Sequence, residues 1–442
     1  MSFPRYPEYK DSGLEWLGQV PAHWRLMRLK HVLEFSTGWT PPTNDASSFE
    51  GDNRWANISD LGERVVTDTA KRISDDAVAS AGIKPAEPGN LLYSFKLSIG
   101  QVSFAGAKMY TNEAIATFSP SDLVDLRFAY YALPFLLEKN AAENIYGAKL
   151  LNQALIRSAL LLLPPLREQV TVADFLDHES AKIDALVAEQ ERLIALLKEK
   201  RQSVISHAVT KGLNPDVPMK YHGTDSVTAI PEHWQVMALN RLIRQGTTIT
   251  YGIVQAGPDV EGGVPYIRTS DMSGDSLREG AYLRTSYEID RSYSRSKVEE
   301  GELVVAIRAS VGKALIVPRF LHGANLTQGT ARVSPGDRVK AEYLALFFRS
   351  DFCQGQIQQV SKGTTFQEIT LDALRKLPII VPPMHEQLEI VDRIKEQIDV
   401  IDSLQEESER IVEILAERRS ALITAAVTGQ IDVRGIAHAE AA

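Results

Sequence analysis

Two stretches of this chain, 166–211 and 384–428, contain no glycine and no proline, and in each an apolar residue returns at every seventh position with one exception apiece. The first series is Leu176, Ile183, Gln190, Leu197 and Val204; the second is Ile394, Ile401, Ser408, Leu415 and Leu422. Heptads sustained this long predict a helix with a coiled-coil seam, and the natural partner of each seam is the other. Leu186 and Leu193 in the first helix, and Leu404 and Ile411 in the second, are expected to fill the half-turns between. Pro164-Pro165 and Pro382-Pro383 open the stretches, and Gly212 and Gly429 close them, which is the punctuation of helix ends. Each helix should run about 45 residues, roughly 65 Å at 1.5 Å per residue. The exceptions, Gln190 and Ser408, sit at equivalent seam positions, where a polar residue costs stability and fixes register.

The remainder has another texture. Runs such as "NLLYSFKL", "QVSFAG", "ELVVAIRAS" and "KALIVPR" look like short strands separated by Gly, Pro, Asn and Asp turns. Helical stretches flank them, "DLVDLRFAYYALPFLLEKN" and "KAEYLALFFRSDFCQGQIQQV". The chain therefore divides into mixed domains at 1–163 and 214–381 and long helices at 164–213 and 382–442, an α+β class.

Its two halves repeat each other. "LPPLREQ" at 163–169 returns 218 residues later as "VPPMHEQ" at 381–387, and "SHAVTKG" at 206–212 returns as "TAAVTGQ" at 424–430. Ile183-Asp184 matches Ile401-Asp402, and Pro21, His23 and Trp24 match Pro231, His233 and Trp234. "RWANISDLGE" at 54–63 resembles "PYIRTSDMSGD" at 265–275. "GNLLYSFKLSIGQVSFAG" at 89–106 resembles "GELVVAIRASVGKALIVP" at 301–318, which sets Lys96 opposite Arg308 and Gly100 opposite Gly312. The lead-in to the first helix, "GAKLLNQALIRSALLLLPP", aligns with "GTTFQEITLDALRKLPIIVPP", with Gln367-Glu368 where Leu151-Asn152 stand. One tandem duplication accounts for all of these. In both helices the Glu of Pro-Pro-x-x-Glu-Gln, Glu168 or Glu386, falls in the first turn, where its charge favours the helix N-terminus.

The net charge of −9 argues on its face against a nucleic-acid partner. Residues 382–442, however, hold 13 acidic against 6 basic residues, so the mixed domains are near neutral and can bind phosphate if their cations cluster. Cys353 is the only cysteine, which excludes an internal disulfide and a thiolate metal cluster and reads as a small buried apolar residue. No run of eighteen apolar residues and no apolar signal core is present, and an intracellular, cytoplasmic protein is expected. Phosphate-cradling glycine loops, H-E-x-x-H and repeated carboxylate pairs are missing, so no catalytic residue and no metal ligand is assigned. His23 and His233 are read as packing or turn residues.

Polar and basic residues in the loops remain as candidates for DNA contact. In the first mixed domain they are Arg54, Asn57, Lys71, Arg72, Lys84, Lys96 and Lys149. In the second, Arg268, Arg278, Arg284, Arg291, Arg295, Lys297, Arg308 and Lys313 fall within 46 residues, interleaved with Tyr266, Tyr282, Tyr287 and Tyr293, and Lys362 follows. Arg and Lys hold phosphates or pair with guanine, and Asn reads adenine.

The order of domains, the Pro-Pro-x-x-Glu-Gln helix openings, "SGLEWLGQVPAHW" at 12–24 and its fainter copy "DSVTAIPEHW" resemble the specificity subunit of type I restriction–modification systems over essentially the whole chain. The resemblance implies two target-recognition domains, each reading half of a split double-stranded DNA site through the major groove. It implies that the helices pack antiparallel as a spacer and dock partners: two modification subunits that methylate adenine with S-adenosylmethionine, and two restriction subunits that translocate DNA with ATP and Mg2+ and cut it. On this reading the chain is not an enzyme and holds no cofactor of its own. The duplication then presents two similar readers to pseudo-symmetric DNA, one helix being longer than a DNA turn of roughly 34–36 Å. A self-contained DNA-modifying enzyme and a coiled-coil scaffold that binds no DNA are the rival expectations.

Overall fold

The computed structural model describes residues 3–143, 147–224, 227–361, 363 and 367–436. The chain forms two compact units, Met1–Glu189 with Ile411–Ala442, and Gln190–Arg410. The long helices run Leu166–Lys211 and Met384–Val427, so each unit contains one β-rich domain and a stretch of each helix.

In the first unit a five-stranded sheet has the order Phe35–Thr37, Ile115–Phe118, Leu91–Ser94, Val102–Ala105, Val65–Val66. All four residues of Leu91–Ser94 are buried, and they alternate in what they serve. Leu91 and Tyr93 join Phe118, Phe128 and Leu133 in the main core, whereas Leu92 joins Ile115, Ala56 and Met109 on the other face. That is the period of two that a strand imposes on side chains. The main core continues through the helix Leu126–Lys139 to Val172, Leu176, Leu422 and Val427 of the long helices. A three-stranded sheet, Tyr110–Thr111, Asn53–Ala56, Lys71–Ile73, completes the domain.

The second unit repeats this plan. Its four-stranded sheet runs Thr250–Tyr251, Thr330–Val333, Leu303–Ala306, Ala314–Ile316. Leu303 and Val305 point into the core that holds Phe347, Ile390 and Ile394, while Val304 and Ala306 pack with Ile267 and Leu326. Helices Ala341–Arg349 and Asp351–Val360 stand where the first unit has one longer helix, and Ser350 caps the second of them. Cys353 is buried there, and burial pushes its thiol pKa up.

Within each unit the two helices run in opposite directions. In the first, residues 172–176 share a core with 422–427, and Asp184 receives Arg419 Nη1 at 2.7 Å. In the second, Ile205 and Val209 share a core with Ile390 and Ile394, and Arg201 Nε donates to Asp402 at 3.1 Å. The repeated Ile-Asp thus contributes one seam residue and one acceptor for the other helix's arginine.

Burial corrects the seam. Leu176, Ile183, Leu197, Ile394, Ile401, Ser408, Leu415 and Leu422 are buried as the heptad predicts, and Gln190 and Val204 are half-buried. Leu186, Leu193 and Leu404 are not in the seam: they are 52%, 40% and 46% exposed. Their neighbours Val187, Ile194 and Gln405 are half-buried instead, and Ile411 shares that state with Val412. A heptad alternates steps of three and four. After Ile183 the step is four, and because residues 186 and 187 are both apolar the pattern alone does not choose. Gln190 Oε1 is buried without a hydrogen-bond partner among the described residues, whereas Ser408 Oγ donates to Leu404 O at 2.9 Å.

Candidate nucleic-acid interface

Each reader is held to its helix by the same latch. Leu160–Leu163 pairs antiparallel with Arg25–Arg28, which brings the Pro-Pro corner beside His23 and Trp24. The buried Glu168 then accepts from Trp24 Nε1 at 3.0 Å and lies 2.8 Å from His23 Nε2. The next residue, Gln169, donates to Pro164 O and Leu123 O and accepts from Asp125 N, tying the start of the 126–139 helix to the long one. In the second unit Pro378–Val381 pairs with Gln235–Ala238. Glu386 takes Trp234 Nε1 at 2.9 Å and His233 Nε2 at 2.6 Å, and Gln387 donates to Pro382 O and Arg338 O and accepts from Lys340 N. Glu168 and Glu386 therefore do more than sit at a helix N-terminus; each is the acceptor for a distant His-Trp pair.

The far side of each indole meets a helix-terminal glycine. Trp234 lies against Gly212, where an added Cβ would stand 3.2 Å from its ring, and Trp24 lies against Gly429 at the same distance. Both glycines have positive φ, 81° and 71°. In the second unit Gly212 continues through the backbone into the strand Met219–Thr224. In the first, residues past Gly429 reach the corresponding segment through hydrogen bonds: Tyr9 Oη donates to Gly429 O at 3.1 Å, and Asp432 N donates to Pro4 O at 2.8 Å.

On the first reader one loop and one turn form a polar face. Phe95 to Gly100 close a tight loop between two strands, with Ser94 N donating to Gln101 O and Gly100 N to Ser94 O. Phe95 N donates to Ala114 O, which sets the loop beside the turn at Asn112-Glu113. Asn57 and Asn112 meet there, their side-chain amides 3.5 Å apart. Glu113 is bonded to the Thr40 hydroxyl; burial opposes its ionisation, but this bond and the charge of Lys96 hold its carboxyl below the usual range. Lys96 itself is exposed, its Nζ 5.9 Å from the Phe95 ring.

The second reader has the same frame with other side chains. Ala306 N donates to Lys313 O, Gly312 N to Ala306 O and Ile307 N to Gly329 O. Arg308 pairs with Glu368 at 2.9 Å, leaving its Nε buried without a partner among the described residues. Arg268 occupies the place of Asn57: the backbone N of each accepts a carboxylate cap, Asp271 at 2.8 Å and Asp60 at 2.7 Å. Bonding to Asp271 also raises the guanidinium pKa of Arg268. Thr269 Oγ1 donates to Gly329 O at 3.4 Å, placing this residue beside the same turn.

Other candidates lie apart from these faces or are already engaged. Arg54 and Arg72 face each other across two strands and share Asp68, whose carboxyl is held below the usual range by the Thr69 backbone N–H and these arginines, against the opposing effect of burial. Lys71 lies over Phe49, Lys149 pairs with Glu138, Lys297 with Asp290 at 2.6 Å, and Lys313 donates to Ser273 O. Arg284 donates to Gly263 O. Lys84, Arg278, Arg291 and Arg295 are exposed, and Lys362 lies outside the described residues. One alignment needs correction. Asn152 caps the helix Gln153–Ser158 by accepting from Leu155 N, and in the second unit Thr370 does this for Leu371–Lys376. The counterpart of Asn152 is thus Thr370, 218 residues on, and Glu368 has the separate task of holding Arg308. Thr40, Asn112, Glu113 and Glu368 were not among the sequence candidates; the polar turn just after each Tyr-Thr or Asn-Leu strand was the available signal.

Two β-rich readers of one plan, each latched to paired helices and carrying a polar loop face, define a bipartite recognition protein. The family model of the type I restriction modification DNA specificity domain matches residues 21–194 and again 231–413, and the chain belongs to that family. It is 32% identical over 279 residues to the type I restriction enzyme EcoBI specificity subunit of Escherichia coli, spanning 62% of this chain and 59% of that protein. With the putative MjaX specificity subunit of Methanocaldococcus jannaschii it shares 22% identity over 96% of this chain and 98% of the other. The fold is similar to a solved chain described under complex assembly and conformational transition of the type I R-M system (TM-score 0.70, 15% identity, 92% of this chain and 98% of that one). It also resembles the HsdS subunit from Thermoanaerobacter tengcongensis (TM-score 0.50, 15% identity, 93% and 98%). Among the described residues no helix is long and apolar enough to cross a membrane, and no group of three metal-ligating side chains is found.

Proposed function

We propose that this chain is the non-catalytic specificity subunit of a type I restriction–modification complex and reads one bipartite site on double-stranded DNA. The observation that carries the reading is the repeated loop face: one backbone frame presents Asn57 and Lys96 in the first unit and Arg268 and Arg308 in the second. Side chains of different hydrogen-bonding character on one frame suit two half-sites of unequal sequence. The complex would join this chain to two modification subunits and, where present, two restriction subunits, in the cytoplasm. S-adenosylmethionine, ATP and Mg2+ belong to those partners, and the long helices are the surface to which they dock.

Mapping methylated adenines across the genome with and without this chain tests the reading. A split motif with two unequal halves, lost on deletion, is expected; an unchanged methylation map, or methyl transfer by the purified chain alone, overturns it. The scaffold alternative is tested by Lys96→Glu, which should weaken DNA binding while the complex still assembles. Unchanged binding would favour the scaffold.

A further inference from the structure

Leu97 is the most exposed large apolar side chain described, at 96%, and it sits at the tip of the first reader's loop. Its φ is 60°, and the only other described non-glycine residue with positive φ is Ala309, at the same place in the second reader with the same value. A bulky L-residue is disfavoured there, because its Cβ crowds the following carbonyl. Backbone held in this region by surrounding hydrogen bonds is a feature of recognition sites. Both loops close through the same pair of bonds, and the glycine three residues on, Gly100 or Gly312, also has positive φ. The tip is therefore a preformed knob. In water it gains nothing: burial would reward a leucine, and none is offered by this chain.

The surroundings identify what would cover it. Lys96 precedes it, and Asn57, Asn112 and Glu113 lie along the adjoining turn, a set suited to a phosphate and to base edges. Among base edges in the major groove the apolar feature is the thymine C5-methyl group. We propose that Leu97 is a specificity-determining residue that packs on a thymine methyl in the first half-site, and that Ala309 takes the same position in the second half-site with a smaller contact. This rests on the DNA-reading function proposed above. A cytosine at that position would leave its N4 amino group facing leucine without an acceptor, which gives the contact its discrimination.

The test uses the complex reconstituted with its modification subunits. Methylation is measured on the native site and on a library randomised in both half-sites, for wild type, Leu97→Ala and Leu97→Gly. Alanine removes the contact and keeps the backbone demand; glycine removes both. Loss of one base contact should lower kcat/KM on the native site by about tenfold. Preference should relax at one thymine position of one half-site, the other half-site staying unchanged. Melting temperature should be unchanged for Leu97→Ala and equal or higher for Leu97→Gly, which separates recognition from folding. If both variants methylate with the wild-type rate and base profile, the role of Leu97 is overturned while DNA reading stands. A wild-type complex with no sequence preference overturns both.

Discussion

A carboxylate buried at a helix start would ordinarily be a liability, since burying a charge without partners is costly. Glu168 and Glu386 escape this because each takes two ring N–H groups, from a tryptophan and a histidine about 150 residues away in sequence. Replacing Glu168 with Ala leaves the Trp24 N–H buried and unpaired, and is expected to cost roughly 1–3 kcal/mol. Thermal melting of the first unit should show it, and Glu386→Ala should do the same to the second. The repeated Glu-Gln and Pro-x-His-Trp were each plain in the sequence, but nothing in either says that they touch. Leu97 was still less visible, because its φ is a product of loop closure and not of its own side chain.

At the scale of elements, the long helices were legible almost to the residue, since proline, glycine and a sustained heptad all act locally. Their sevenfold seam was legible too. The half-turn residues were not, because Leu186-Val187 and Leu193-Ile194 offer two apolar neighbours and only the partner helix decides between them. Alanine at Ile183 should cost about 2–5 kcal/mol, as for other buried aliphatics. At exposed Leu186 it should stay within about 0.5 kcal/mol. Urea titration of the two variants distinguishes them, and equal losses would restore the three-residue step. The short strands of the readers were foreseen as a class, yet their order was not, since pairings such as Asn53–Ala56 with Tyr110–Thr111 join segments far apart in the chain.

Over the whole molecule the duplication is the organising fact, and it was readable because the helices and their Pro-Pro openings drifted little while the readers drifted more. If the helices set the spacing of the half-sites, a seven-residue insertion at equivalent places in both should change the tolerated spacer and leave the half-site bases alone. Methylation of a library with variable spacers checks this, and altered half-site bases would sink the ruler. The copies differ most at Gly212 and Gly429. Around Trp234 the helix leads on by peptide bonds, whereas around Trp24 the same position is closed by hydrogen bonds from Tyr9 and Asp432. The second unit is thus sewn shut and the first is only buttoned. Heat or protease should open the first unit before the second. Removing residues 430–436 should lower the melting of that unit alone, so that a cell could lose half of its reading frame on DNA while the other half stays folded.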